Sequence, residues 1–121
     1  MSKNVLFVDD SSSMRWIVEN ALEAADYTVV TAVDGKDALP KLHERRYDVV
    51  ISDLNMPNMN GIEFIKQVKI DPNNKFTPII MMTTDSSATA MAEGKQAGAK
   101  VWIVKPFKPE EVIALLDKII Q

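Results

Sequence analysis

Short apolar runs alternate with longer stretches of helical period along the whole chain. The runs are Val5-Leu6-Phe7-Val8, Val29-Val30, Val49-Val50-Ile51, Ile79-Ile80-Met81-Met82 and Val101-Trp102-Ile103-Val104. Four of them are continuously apolar, the pattern of parallel strands covered on both faces, while the weaker Thr28-Val29-Val30-Thr31 predicts a sheet edge. Between the runs, Met14, Ile17, Val18, Ala21, Leu22 and Ala25 fall on one apolar helix face, and Val112, Leu115, Leu116 and Ile119 repeat that spacing near the end. The 121 residues allow five strand-helix units of about 24 residues each, close to what typical element and loop lengths require. Such alternation, with right-handed crossovers, predicts a doubly wound α/β layer whose ligands sit beyond the carboxyl ends of the strands.

Two segments depart from that regularity. Pro40 falls inside the helical stretch 36–45, where it removes a hydrogen bond and clashes with the preceding turn, so a kink or irregular turn is expected there. The stretch Ser87–Ala97 offers only alanines and Met91 as apolar anchors, which makes it the best candidate for a moving part.

Composition narrows the chemistry. The length predicts one domain over 1–121 with no output domain, and a net charge of −3 gives no basic field for nucleic acid. Without cysteine there is no disulfide or thiolate chemistry, and without a signal peptide or a span near 20 apolar residues a cytoplasmic chain with no membrane association is expected. The single His43 sits among Lys41, Glu44, Arg45 and Arg46 and reads as a surface residue at a helix end rather than a catalyst.

The chemistry gathers at strand ends. Asp9 and Asp10 follow the first strand, Asp53 the third and Lys105 the fifth, and a parallel sheet brings those ends to one edge. Taken alone, Asp10 before Ser11-Ser12-Ser13 reads equally well as a helix cap. Two carboxylates about 4 Å apart repel by about 4 kcal/mol at an effective dielectric of 20, so their grouping calls for a cation. Lys105 brings one positive charge. An oxygen-only donor set beside it points to a hard, partly hydrated ion, Mg²⁺.

Together, Asp9-Asp10, Asp53 followed by Asn55-Met56-Pro57 and Gly61, Thr83 ending the fourth strand, and Lys105-Pro106-Phe107 resemble the receiver domain of two-component response regulators over essentially the whole chain. The wording from Asp9 to Arg15 is most similar to the stand-alone chemotaxis regulators of that family. The resemblance implies a flavodoxin-like (βα)5 fold with strand order 2-1-3-4-5. It implies Asp53 as phosphoacceptor for a sensor histidine kinase. Asp10, Asp53 and the Asn55 carbonyl would ligate Mg²⁺, with Asp9 acting through water, and Thr83 and Lys105 would hold the phosphoryl oxygens. Trp102 would be the aromatic switch, where the family more often has Tyr or Phe, with Met91 on the same partner surface. A cis Lys105-Pro106 bond is also implied, and Asn60-Gly61 replaces the usual Asp-Gly and is read as a turn or cap.

The expected role is a phosphorylation-dependent binding switch that assists its own phosphorylation and autodephosphorylation without being an enzyme, acting as a monomer on a target such as the flagellar motor switch. A phosphorelay intermediate is the alternative. An aspartyl-nucleophile phosphatase would need a second Asp where Asn55 stands, and a flavin carrier would need a phosphate-binding loop after the first strand. Thr84 competes with Thr83 for the hydroxyl role, Trp102 has a plain core reading, and Trp16, opposite the first helix's apolar stripe, is expected to be exposed. Asn55 and Asp85 are expected to flank the pocket and leave room for water, which predicts a short-lived phosphoryl group.

Overall fold

The structure, a computed structural model, describes residues 3–84 and 87–120. Strands β1 (Lys3–Val8), β2 (Tyr27–Ala32), β3 (Val49–Asp53), β4 (Ile79–Thr83) and β5 (Val101–Val104) alternate with helices α1 (Ser12–Ala24), α2 (Gly35–Glu44), α3 (Gly61–Ile70), α4 (Ala88–Ala97) and α5 (Pro109–Ile119). All pairings are parallel and the order is β2-β1-β3-β4-β5, as the resemblance implies.

Because strand side chains alternate in direction, each apolar run feeds both faces of the sheet. Leu6, Val8, Val50, Ile79 and Met81 meet Ala38 and Leu42 of α2 and Phe64, Ile65 and Val68 of α3 in one core layer. Val5, Phe7, Val49, Ile51, Ile80 and Met82 meet Val18 and Leu22 of α1 and Val112 and Leu116 of α5 in the other. This two-sided burial is why β3 and β4, and β1 after Asn4, carry no polar residue until their carboxyl ends. β2 is the edge its sequence predicts, but β5 is the second edge despite an unbroken apolar run, with Val101, Trp102 and Ile103 half-buried and Val104 exposed. Ile17 also departs from its expected place. It lies at the margin of the α1 stripe and is exposed, leaving Val18 and Leu22 as the helix's fully buried anchors.

Side chains just before the helices end their unpaired N–H groups. Ser11, not Asp10, caps α1 by accepting from Met14 N at 3.3 Å. Asp34 accepts from Asp37 N at 2.7 Å ahead of α2, and Asn60 from Glu63 N at 2.9 Å ahead of α3, the role expected of Asn60. The irregular turn expected at Pro40 is absent, since α2 is helical from Gly35 to Glu44. Pro40 is exposed, so water can reach the carbonyl it orphans, while buried Ala38 and Leu42 pin the helix on either side. Helix α4 is as thinly anchored as its alanines predict, and Gly94 is its single buried residue.

At the amino edge of the sheet, one buried side chain joins two loops. Asn74 Oδ1 accepts from Tyr47 N at 2.7 Å and Thr77 Oγ1 at 3.1 Å, while Nδ2 donates to the carbonyls of Leu42 and Arg45, each at 2.9 Å. Beside it His43, exposed as expected, contacts the buried Asp71 carboxylate through Nδ1. Burial raises the Asp71 pKa, but hydrogen bonds from His43, Asn73 and Asn74 outweigh it and leave the group below the usual carboxylate value.

Truncating Asn74 to alanine strands several of these groups and should cost about 3 kcal/mol in urea denaturation at neutral pH. Because Asp71 titrates lower in the folded than in the unfolded chain, its contribution is present above the ordinary carboxylate pKa and is lost as pH falls through the depressed one. Asp71→Asn should therefore lower stability at pH 6 and flatten its fall between about pH 5 and 2, measured by denaturation at each pH.

Candidate functional site

Each of the central three strands has a polar residue at or just past its carboxyl end. Asp9 follows β1, Asp53 closes β3 and Thr83 closes β4, and Lys105 follows β5 on the same edge. Lys105 Nζ donates to Asp9 Oδ2 at 2.9 Å and to Asp53 Oδ2 at 3.0 Å, so residues 96 and 52 positions apart share one ammonium group. Asp10 completes the cluster: one carboxylate oxygen from each of Asp9, Asp10 and Asp53 lies within 4.8 Å of the others. Three negative charges against one positive leave a surplus of two.

The backbone fixes this crowding. Asp9 is fully buried and held on all sides: its N–H donates to Ala32 O at 3.1 Å, its Oδ1 accepts from Ser11 N at 2.9 Å, and its carbonyl accepts from Arg15 Nη1 at 2.7 Å. Asp53 is 7% exposed and Asp10 is exposed, which leaves the nest open to solvent on the Asp10 side. Lys105 N–H donates to Thr83 O at 2.7 Å, carrying the chain out of β5 directly beside the end of β4.

Burial pushes the Asp53 carboxyl above the usual carboxylate pKa, with the Asp9 charge adding to the rise and the Lys105 hydrogen bond opposing it. Burial alone would lower the Lys105 pKa, but its two carboxylate partners hold it above the ordinary lysine value. Burial thus makes Asp53 less comfortable as an anion than an ordinary carboxylate, and Lys105 is its counterweight.

The loop after β3 is packed onto the site. Leu54 N–H donates to Met82 O at 2.9 Å, and Gly61 N–H returns to Leu54 O at 2.8 Å. A side chain at Gly61 would place its Cβ 2.5 Å from the Asp53 carbonyl oxygen and 2.8 Å from Leu54 Cα, so only glycine closes the loop there. Asn58 Nδ2 donates to Asp34 Oδ2 at 2.7 Å, tying this loop to the one before α2. Asn55 is exposed on the same loop.

Of the residues singled out by sequence, Asp9, Asp10, Asp53 and Lys105 converge, and buried Thr83 ends β4 beside them while Thr84 is exposed. Lys105-Pro106 is cis. Asp85 lies outside the described residues. Trp102 and Met91 stand apart from the nest: Trp102 is in the middle of β5, half-buried against the α2/α3 layer, and Met91 is half-buried on α4. Trp16 is exposed, as its place on α1 predicts. Sequence reading missed Arg15 and the Asn58–Asp34 tie. No periodicity announces either contact, although Arg15 stands six residues after Asp9, within reach once the helix starts.

Comparison with known proteins agrees with this geometry. Residues 5–117 match the response regulator receiver domain. The chain is 41% identical to the chemotaxis protein CheY of Thermotoga maritima, covering 98% of each, and 39% identical to CheY-3 of Vibrio cholerae, covering 100% of this chain and 95% of that one. It superimposes on chemotaxis response regulator CheY4 of Vibrio cholerae with TM-score 0.93 at 48% identity over 98% of this chain and 99% of that one. A receiver domain of a sensor histidine kinase from Pseudomonas aeruginosa, with magnesium coordinated in its active site cleft, matches with TM-score 0.90 at 26% identity over 99% of this chain and 98% of that one. The protein belongs to the response regulator receiver family and is closely related to the CheY chemotaxis regulators.

Proposed function

We propose that this chain is a phosphoacceptor switch charged on Asp53 by the phosphohistidine of a sensor histidine kinase, in the chemotaxis branch that its relatives' names indicate. The observation that carries the reading is the shared ammonium of Lys105 between Asp9 and Asp53 in a nest that keeps two surplus negative charges. In the transfer, an Asp53 carboxylate oxygen bonds to phosphorus as the P–N bond breaks, and the departing imidazole keeps the electron pair and takes up a proton. A carboxylate needs no general base for this attack, which suits a site whose nearest groups are carboxylates, a hydroxyl and an ammonium.

The donor set fits Mg²⁺: three carboxylates able to place an oxygen each within 4.8 Å, with a side open to solvent at Asp10. Asp10, Asp53 and the Asn55 carbonyl would hold the ion, with Asp9 acting through water. When bound, the ion neutralises charge on the transferring oxygens and templates them. Lys105 turns from Asp53 to a phosphoryl oxygen while its bond to buried Asp9 keeps it oriented, and Thr83 supplies a hydroxyl donor. The pocket assists its own phosphorylation and later hydrolysis by position and charge alone.

Phosphorylation then drives output by differential contacts. Inverting a 1:99 equilibrium takes about 5.5 kcal/mol. Charge-assisted hydrogen bonds from Thr83 and Lys105, at about 1.5–3 kcal/mol each, supply much of it. Trp102 and the thinly anchored α4 with Met91 form the responding surface for a downstream protein such as the flagellar motor switch. The chain works as a monomer in the cytoplasm, with residues 1–121 as its receiver unit.

Acetyl phosphate with Mg²⁺ should add one phosphoryl group at Asp53, seen by mass spectrometry, and Asp53→Asn should abolish it; labelling elsewhere in the wild type sinks the reading. Asp10→Asn should weaken Mg²⁺ binding by about 1–4 kcal/mol in calorimetry, the Coulombic worth of one nearby charge. Because the Asp53 pKa is raised on folding, metal-free stability should fall as pH rises from the ordinary carboxylate pKa through the raised one. Asp53→Asn should therefore stabilise the metal-free protein at pH 7 by about 1–2 kcal/mol and lose the further stabilisation that Mg²⁺ gives the wild type, measured by thermal melting.

A further inference from the structure

The central residue of the α4 contact with the sheet is a glycine. Gly94 is buried inside the helix, and a Cβ built on it would stand 2.2 Å from Trp102 Cζ3, 3.0 Å from Cε3 and 3.3 Å from Cη2. No rearrangement short of moving the ring or the helix would admit even one methyl group. Glycine inside a helix is unfavourable against alanine, and this helix has little apolar burial to offset that loss. The same ring carries a second cost. Trp102 Nε1 is sealed from solvent and has no hydrogen-bond partner among the described residues, although a buried indole N–H usually finds one.

Two unfavourable features of one ring and its neighbour mark a seat held by shape rather than by bonding. We propose that Gly94 is a positioning residue for Trp102: its missing side chain forms the notch that keeps the indole packed under α4, and filling the notch with one methyl expels the ring toward the open edge of β5. That direction is available because β5 is an edge strand whose residues are half-exposed, and it hydrates the stranded N–H. The ring, not the backbone, gives way, since β5 is fixed by its ladder to β4, where Trp102 stands opposite Met81. The inference deepens the reading of Trp102 as the output aromatic, but the seat itself does not depend on phosphorylation.

In a Trp16→Phe background, where Trp102 is the one remaining indole, Gly94→Ala should shift emission to the red and raise acrylamide quenching without Mg²⁺ or phosphodonor. The same substitution should lower the thermal midpoint of its parent, yet raise it when combined with Trp102→Val, because alanine then brings its helix propensity with no ring to strike. Should Gly94→Ala fail to fold alone, the combination with Trp102→Val must recover a cooperative melt. Unchanged quenching, a midpoint shift of one sign in both backgrounds, or failure of the combined variant to fold overturns the proposal. Failure of acetyl phosphate to label Asp53 would sink the functional reading and leave these signs unaltered.

Discussion

Repulsion between carboxylates held at a fixed spacing is the constraint around which this molecule is arranged. Asp9 and Asp53 cannot separate, because each is anchored by a neighbouring strand of a paired ladder, and Asp9 is further bound by Ser11, Ala32 and Arg15. Lys105 offsets only part of the charge. The site thus has an electrostatic demand built in before any ligand arrives, and the pull of a cation or a phosphoryl group with its counterion is the relief of that demand. Stability is given up at the carboxyl edge for reactivity there, as is common where pKa values are shifted by burial and like charge.

The opposite edge shows the contrary allocation. Asn74 satisfies donors and acceptors of two loops at once, and Asp71 is stabilised rather than stressed as an anion. One end of the sheet is closed by a saturated polar network, and the other is open and charged. Elements whose anchoring is thin, α4 and β5, flank the open end.

Much of this was readable from the residues because the same physics wrote both. Continuous apolar runs located β1, β3 and β4, and the carboxyl-edge rule placed Asp9, Asp10, Asp53 and Lys105 together although they are spread over the chain. What escaped was set by tertiary context. An apolar run cannot say whether α4 covers it well enough, so the pattern of β5 read as covered on both faces although the strand order that the resemblance implies puts it at an edge. Pro40 is a breaker in any propensity scale, yet core contacts from Ala38 and Leu42 override it. Ile17 fits the periodic stripe but lies beyond the width that α1 buries. Gly61 could be quoted as part of a motif, but only the structure gives its reason, a backbone oxygen 2.5 Å from where a Cβ would be.

The sheet also acts as a partition. Its two faces bury separate sets of side chains, α2 and α3 against one and α1 and α5 against the other, and among the described residues none belongs to both layers. Volume changes in well-separated, non-contacting sites combine nearly additively. A volume change under α1 or α5 thus reaches the layer that holds Trp102 only through the shared strands, and substitutions far apart on the two faces combine nearly independently.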